Sequence, residues 1–190
     1  MAVDLEKLQT VLRNKLSEKF GDKVLGISEA FKEVTIQVDR EIIRELCFFL
    51  RDDPDFKFDL LAYATAVDES ALGRTPRYQM AYNLYSVFHK HRVRVKAGVP
   101  EEDPRIDSVE PVWKTANWLE RETFDMFGIL FDDHPDLRRI LMPDDWIGHP
   151  LRKDFPLGGV KSFYFKRDTN PRAGEPKTLI PRIREQLGDI

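Results

Sequence analysis

The sequence predicts an α+β fold: a two-layer mixed β-sheet with flanking helices, followed by an extended, irregular C-terminal arm. Three observations predict it. Apolar residues recur at helical spacing in three stretches, short alternating runs lie between them, and beyond residue 128 no sustained period survives while proline and glycine accumulate. At 190 residues, 42% hydrophobic and 33% charged, the chain is long enough for one domain with a core and has the composition of neither a membrane span nor a disordered segment. The expected division is an α/β core domain over residues 1–128 and an arm over 129–190 that binds a partner and is not an independent domain.

Each element has its own signal. Residues 4–20 carry Leu5, Leu8, Leu12, Leu16 and Phe20 at three- and four-residue spacing, an amphipathic helix ended near Gly21. Residues 23–28 and Glu33–Val38 read as two short strands, although the stretch between them lacks a two-residue hairpin signal. Residues 40–51 form a second helix with Ile42, Ile43 and Leu46 inward, closed by Pro54. Residues 58–67 are nearly all apolar and fit a central strand. Residues 77–89 alternate Tyr78, Met80, Tyr82 and Leu84 with polar neighbours, and residues 91–95 alternate Val93 and Val95 with His91, Arg92 and Arg94, so the two make an antiparallel hairpin. A third helix is expected over residues 109–127. In the arm, a short helix near residues 180–187 and the aromatics Phe155, Phe163, Tyr164 and Phe165 suit a segment that orders against a partner.

The single cysteine, Cys47, rules out a disulfide framework and any thiolate zinc or iron–sulfur site held by this chain alone. The longest apolar run, residues 126–131, is far shorter than the ~20 residues that span a bilayer. The N-terminus is charged from its fourth residue and lacks a signal peptide's apolar stretch, so a cytosolic protein is expected. The net charge of −3 is unevenly placed. Residues 99–136 hold 3 basic against 11 acidic residues, which is −8, and residues 137–190 hold 11 against 7, which is +4. A pI near 5.9 with dispersed cations disfavours nucleic acid. Segments of opposite sign suit complementary protein surfaces.

The most informative stretch is 117–156. On a helical wheel Glu120 falls among apolar residues, while Arg121, Glu122 and Asp125 lie opposite with Trp118, and Arg121–Asp125 is an i,i+4 pair. A carboxylate amid apolar neighbours is a raised-pKa acid or a partner for a buried cation. The spacing Asn117 to Glu120 equally fits a capping box, which is the safer reading. Glu120, Asp125 and His134 suffice in kind for acid–base or metal chemistry. Their spacing matches no ligand set, however, and no phosphate loop, nucleophile elbow or zincin motif is present. His134 and His149 each precede a proline, which more often fixes a turn.

Glu120-Arg121-Glu122, Asp125 after two residues, then Met126-Phe127, His134 after six residues, Arg138 after three and Ile140-Leu141 after one resemble the signature of the C-type (30-kDa-type) subunit of NADH:quinone oxidoreductase, respiratory complex I. Gly148-His149-Pro150-Leu151-Arg152-Lys153-Asp154-Phe155-Pro156 is similar to a second pattern of that family. The resemblance implies a peripheral-arm subunit without an active site, on the cytoplasmic side of the bacterial inner membrane and membrane-associated only through the complex. It implies no flavin, cluster or quinone pocket in this chain, although the complex uses FMN, Fe–S clusters, NADH and quinone. The implied partners are the other complex I subunits, the D-type quinone-site subunit above all. Signature and interface residues are then Glu120, Arg121, Glu122, Asp125, His134, Arg138, Arg139, His149, Arg152 and Asp154, with Arg121, Arg138, Arg139 and Arg152 expected to pair with carboxylates, either within the chain or across an interface. The equivalent subunit of a membrane-bound hydrogenase or F420H2 dehydrogenase, and a freestanding acid–base or metal enzyme, are the alternatives.

Overall fold

Leucines three and four residues apart build the first helix, α1 (Leu5–Phe20), and bury Leu8, Leu12 and Leu16. Gly21, at φ +56°, lets the chain turn out of it. The computed structural model describes residues 5–156. The expectations for residues 157–190, including the helix near 180–187 and Phe163, Tyr164 and Phe165, lie outside the described residues.

Strands β1 (Val24–Ala30) and β2 (Glu33–Val38) form an antiparallel hairpin. Its loop is the two residues Phe31 and Lys32, both at positive φ. That geometry usually calls for Asn or Gly, which is why the turn is invisible in the sequence. Asp39 accepts the Glu41 N–H and starts a 3-10 turn leading into α2 (Ile43–Asp52), which buries Ile43, Leu46, Cys47 and Leu50. Strands β3 (Leu60–Asp68), β4 (Tyr78–Ser86) and β5 (His91–Val99) complete a five-stranded sheet in the order β1-β2-β5-β4-β3, with β2 and β5 parallel and the other neighbours antiparallel. The apolar run expected in the centre is therefore the edge strand, and β5 is the central one. Apolar composition reports burial of one face but not position in the sheet.

The inward rows of β2 to β5 and the buried sides of α1, α2 and a third helix form one core. The third helix, α3 (Ala116–Phe127), is shorter than expected, because residues 109–115 make turns that aim the Trp113 indole N–H at the Phe58 carbonyl, 3.1 Å away. Strand β6 (Arg105–Asp107) precedes α3, and β7 (Leu130–Asp132) follows it and pairs with β6 in parallel. The chain beyond Gly128 thus packs back on the core through residue 156. Among the described residues no helix is long and apolar enough to cross a membrane.

Candidate functional site

The residues singled out by sequence converge on α3 and on the loop, residues 133–156, that folds back across it. On the inner side, Glu120 is fully buried. It does not close a capping box with Asn117, because the helix starts at Ala116 and places Asn117 within it. Instead its carboxylate reaches the segment before the helix, accepting from the Ser108 hydroxyl at 2.6 Å and from the Val109 N–H at 2.7 Å. Burial pushes the Glu120 carboxyl up to about 7 against the pull of these two donors.

His134 lies 3.9 Å from Glu120, its side chain equally enclosed. Its Nδ1 accepts from the Asp136 N–H, so Nε2 carries the proton and donates to the Asn117 carbonyl at 3.2 Å. Burial lowers its pKa, and the ring is neutral near pH 7. The two groups are in kind an acid and a base, but neither is open to a solute. Among the described residues no group of three or more His, Cys, Asp or Glu side chains is placed to hold a metal ion.

On the outer side Arg121 and Asp125 are buried, and the i,i+4 spacing does not pair them with each other. Arg121 lies against the Trp118 ring at 5.4 Å and donates to the carbonyls of Arg138 and Arg139 at 3.2 and 3.3 Å. One oxygen of Asp125 accepts three successive backbone N–H groups, from Ile140 at 3.1 Å and from Leu141 and Met142 at 2.8 Å. The other meets the Arg139 guanidinium at 2.6 Å. Burial alone would raise the Asp125 carboxyl, but the Met142 N–H, Arg139 and the Leu141 and Ile140 N–H groups outweigh it and hold it below the ordinary carboxylate range.

The second sequence pattern caps the helix. An α-helix leaves its last four carbonyls without partners. In α3 the Phe124 carbonyl takes the Gly128 N–H at 2.8 Å, Asp125 takes His149 Nδ1–H at 3.0 Å, Met126 takes the Leu151 N–H at 3.1 Å, and Phe127 takes Arg152 Nε–H at 2.7 Å. The cation at Arg152 also suits the negative end of the helix dipole. Gly128 sits at φ +75°, and a Cβ there would lie 2.5 Å from both His149 and Arg152. Asp154 then pairs with Arg77 at 2.9 Å, while the Lys153 N–H donates to Asp68, itself 2.8 Å from Arg77. These contacts fasten the loop to the ends of β3 and β4.

Of the four arginines expected to pair with carboxylates within the chain or across an interface, Arg139 and Arg138 do so within the chain, the latter with Asp136 at 2.9 Å. Within the described residues Arg121 and Arg152 donate to main-chain carbonyls. Glu122 is half-buried and makes no contact of this network. Sequence reasoning missed Ser108, Asp68, Arg77 and Arg44, which act from distant elements. Arg44 on α2 spans the Ser108 and Asp132 carbonyls and the Asp107 and Asp133 carboxylates. With Arg40–Asp103, Arg105–Asp132 and Arg77–Glu101, it neutralises within the chain much of the acidic segment expected to face a partner.

Residues 36–161 match the family described as respiratory-chain NADH dehydrogenase, 30 Kd subunit. The chain is 55% identical over 146 residues to the C-type subunit of the NADH-quinone oxidoreductase of Geobacter metallireducens, a match covering 76% of this chain and 88% of the relative. Among solved structures, a trypsin-resistant fragment of Nqo5 is similar with a TM-score of 0.59 at 30% identity, over 69% of this chain and 99% of the fragment. A chain of the membrane-bound sulfane sulfur reductase, an archaeal respiratory membrane complex, shares the fold with a TM-score of 0.67 at 21% identity, over 90% of this chain and 97% of its own.

Proposed function

The chain belongs to the family of the respiratory-chain NADH dehydrogenase 30 Kd subunit, and from that premise we propose that it is a non-catalytic peripheral-arm subunit of a NADH:quinone oxidoreductase. It supports electron transfer from NADH through FMN and Fe–S clusters to quinone by packing against the quinone-site subunits, the D-type subunit in particular, on the cytoplasmic side of the bacterial inner membrane. It holds none of the cofactors itself.

The observation that carries this reading is the use to which the signature residues are put. Asp125, Arg139, His149 and Arg152 satisfy backbone groups of α3 and of the loop over it, and Arg121 does the same for two loop carbonyls. Groups committed to main-chain hydrogen bonds are not available to a substrate. Glu120 and His134, the pair nearest to an acid–base couple, are enclosed. The single Cys47 is buried and its thiol pKa is driven upward by burial, so it offers no thiolate ligand.

The shared fold of the sulfane sulfur reductase chain favours a second reading, the equivalent subunit of a related membrane-bound redox complex. The two separate in one experiment: affinity purification of the tagged chain from detergent-solubilised host membranes, with mass spectrometry of the co-purifying chains. Flavin, cluster and quinone-site subunits are expected. A hydrogenase-type large subunit would support the second reading, and recovery of the chain alone, with intrinsic activity, would contradict both.

A further inference from the structure

Helices α1, α2 and α3 and the loop over α3 lie on one side of the sheet, and among the described residues no element covers the other side. Strand register resolves that face into rows. Leu60 on β3 sits beside Tyr85 on β4. Tyr63 lies beside Asn83, then Arg94 on β5, Thr35 on β2 and Ser28 on β1. Thr65 lies beside Ala81, then Lys96 and Gln37. Val67 lies beside Gln79 and Gly98.

Two features of these rows are unusual for a surface that stays wet. The first is apolar. Leu60, Tyr63 and Val67 are 41%, 44% and 46% exposed along an edge strand that carries no charge before Asp68. Soluble proteins blunt such edges with lysine, proline or short strands, and a long uncharged one invites association. Val87 and Phe88, at the adjoining β4–β5 turn, extend the exposed apolar residues.

The second feature is electrostatic. Arg92, Arg94 and Lys96 all point to this face from β5. Arg94 is neutralised by Glu33 at 2.6 Å and held by Asn83 at 3.0 Å. Arg92 and Lys96 have no carboxylate partner among the described residues. They stand four residues apart on one strand, about 13 Å. In the same face the enclosed Gln79 side-chain nitrogen has no acceptor among the described residues.

We propose that this open face docks another protein subunit of the complex, through a surface that is apolar against β3 and β4 and carries carboxylates against Arg92 and Lys96. The assignment rests on the subunit reading above. Charge complementarity selects the occupant. The face itself is basic and apolar, so a second copy of it would set like charges together, and two unpaired cations are too few for a nucleic-acid site. An apolar strip beside two cations fits an acidic, amphipathic protein surface, with the aromatic Tyr63 as a natural anchor.

The test uses the assembled complex. A photo-crosslinking phenylalanine analogue is placed at Tyr63, and separately at Phe31, which is fully exposed at the β1–β2 turn away from the strip. The tagged complex is irradiated in membranes and crosslinked peptides are identified. Crosslinking from position 63 to an Asp- or Glu-bearing segment of another subunit, at several times the yield from position 31, is the expected result. The paired substitution Arg92→Glu with Lys96→Glu, at solvent-accessible positions, is expected to lower co-purification of the complex about tenfold while leaving the chain's own melting temperature unchanged. If the other subunits co-purify but position 63 labels only lipid, a second copy of this chain or nothing, and the charge reversal leaves co-purification unchanged, the docking assignment is overturned while the subunit reading stands. If no other subunit co-purifies with the unmodified chain, both fall.

Discussion

Replacing Asp125 by Asn removes one charge and leaves nearly the same shape. The carboxylate accepts three backbone N–H groups and an arginine through its two oxygens, and it is buried. The amide keeps one neutral acceptor and turns two donors toward a site made entirely of donors. Hydrogen bonds to a charged group contribute about 1.5–3 kcal/mol each, and breaking a buried ion pair by removing one partner costs about 3–5 kcal/mol. Arg139 keeps other partners in the Asp125 and Gly148 carbonyls, so about 3 kcal/mol is a reasonable local loss. That corresponds to a factor on the order of 100 in the opening equilibrium. Hydrogen exchange at the amides of Ile140, Leu141 and Met142 should therefore accelerate about a hundredfold, while amides in β4 and β5 hold their rates. The native carboxyl is depressed, so its contribution is present above the unfolded value near 3.8 and is lost as pH falls through the lower folded value. The same amides should loosen in acid in the unsubstituted chain. Unchanged exchange at residues 140–142 would refute the claim that Asp125 fastens the loop.

Glu120 has the opposite sign. Its folded value near 7 exceeds the ordinary 4.5, so the folded state holds the proton more tightly and stability declines as pH rises from about 4.5 through about 7, by about 3 kcal/mol in all. Glu120→Gln should flatten that decline in denaturant midpoints measured between pH 5 and pH 8, and identical slopes for both proteins would count against the buried carboxyl. Gly128→Ala forces a side chain into positive φ and onto His149 and Arg152, for about 1–3 kcal/mol and a melting temperature lower by several degrees; an unchanged melting curve would contradict the capping geometry. Cys47 should resist thiol alkylation in the folded chain and react on denaturation, and rapid labelling of the native protein would show that the core is open there.

The local parts of the fold were legible because their causes are local. The alternation of Tyr78, Met80, Tyr82 and Leu84 names the buried face of β4, and the leucine spacing names that of α1. Position within the sheet was not legible. Residues 58–67 look central because they are apolar, yet β3 is an edge strand with one apolar row left exposed, and composition alone does not distinguish a row buried in the chain from one exposed at its surface. The Phe31–Lys32 turn adopts a geometry its residues do not advertise. The outer face of α3 was misread for a related reason. A helical wheel pairs Arg121 with Asp125 by spacing, whereas here the main-chain partners of both are groups of a loop 15 to 18 residues further on. Main-chain donors and acceptors leave no mark in a sequence. Only the density of Gly, His, Pro and Arg in 148–152 hinted that a helix end was being capped there.

The measurement that bears most directly on an architectural role is NADH:quinone turnover in membranes carrying Arg121→Ala, divided by the amount of assembled complex. Arg121 holds two loop carbonyls and supports Trp118, so its loss is expected to reduce assembly while turnover per assembled complex stays unchanged. Full assembly with turnover per complex reduced would contradict a purely architectural role and return this residue to the chemistry itself.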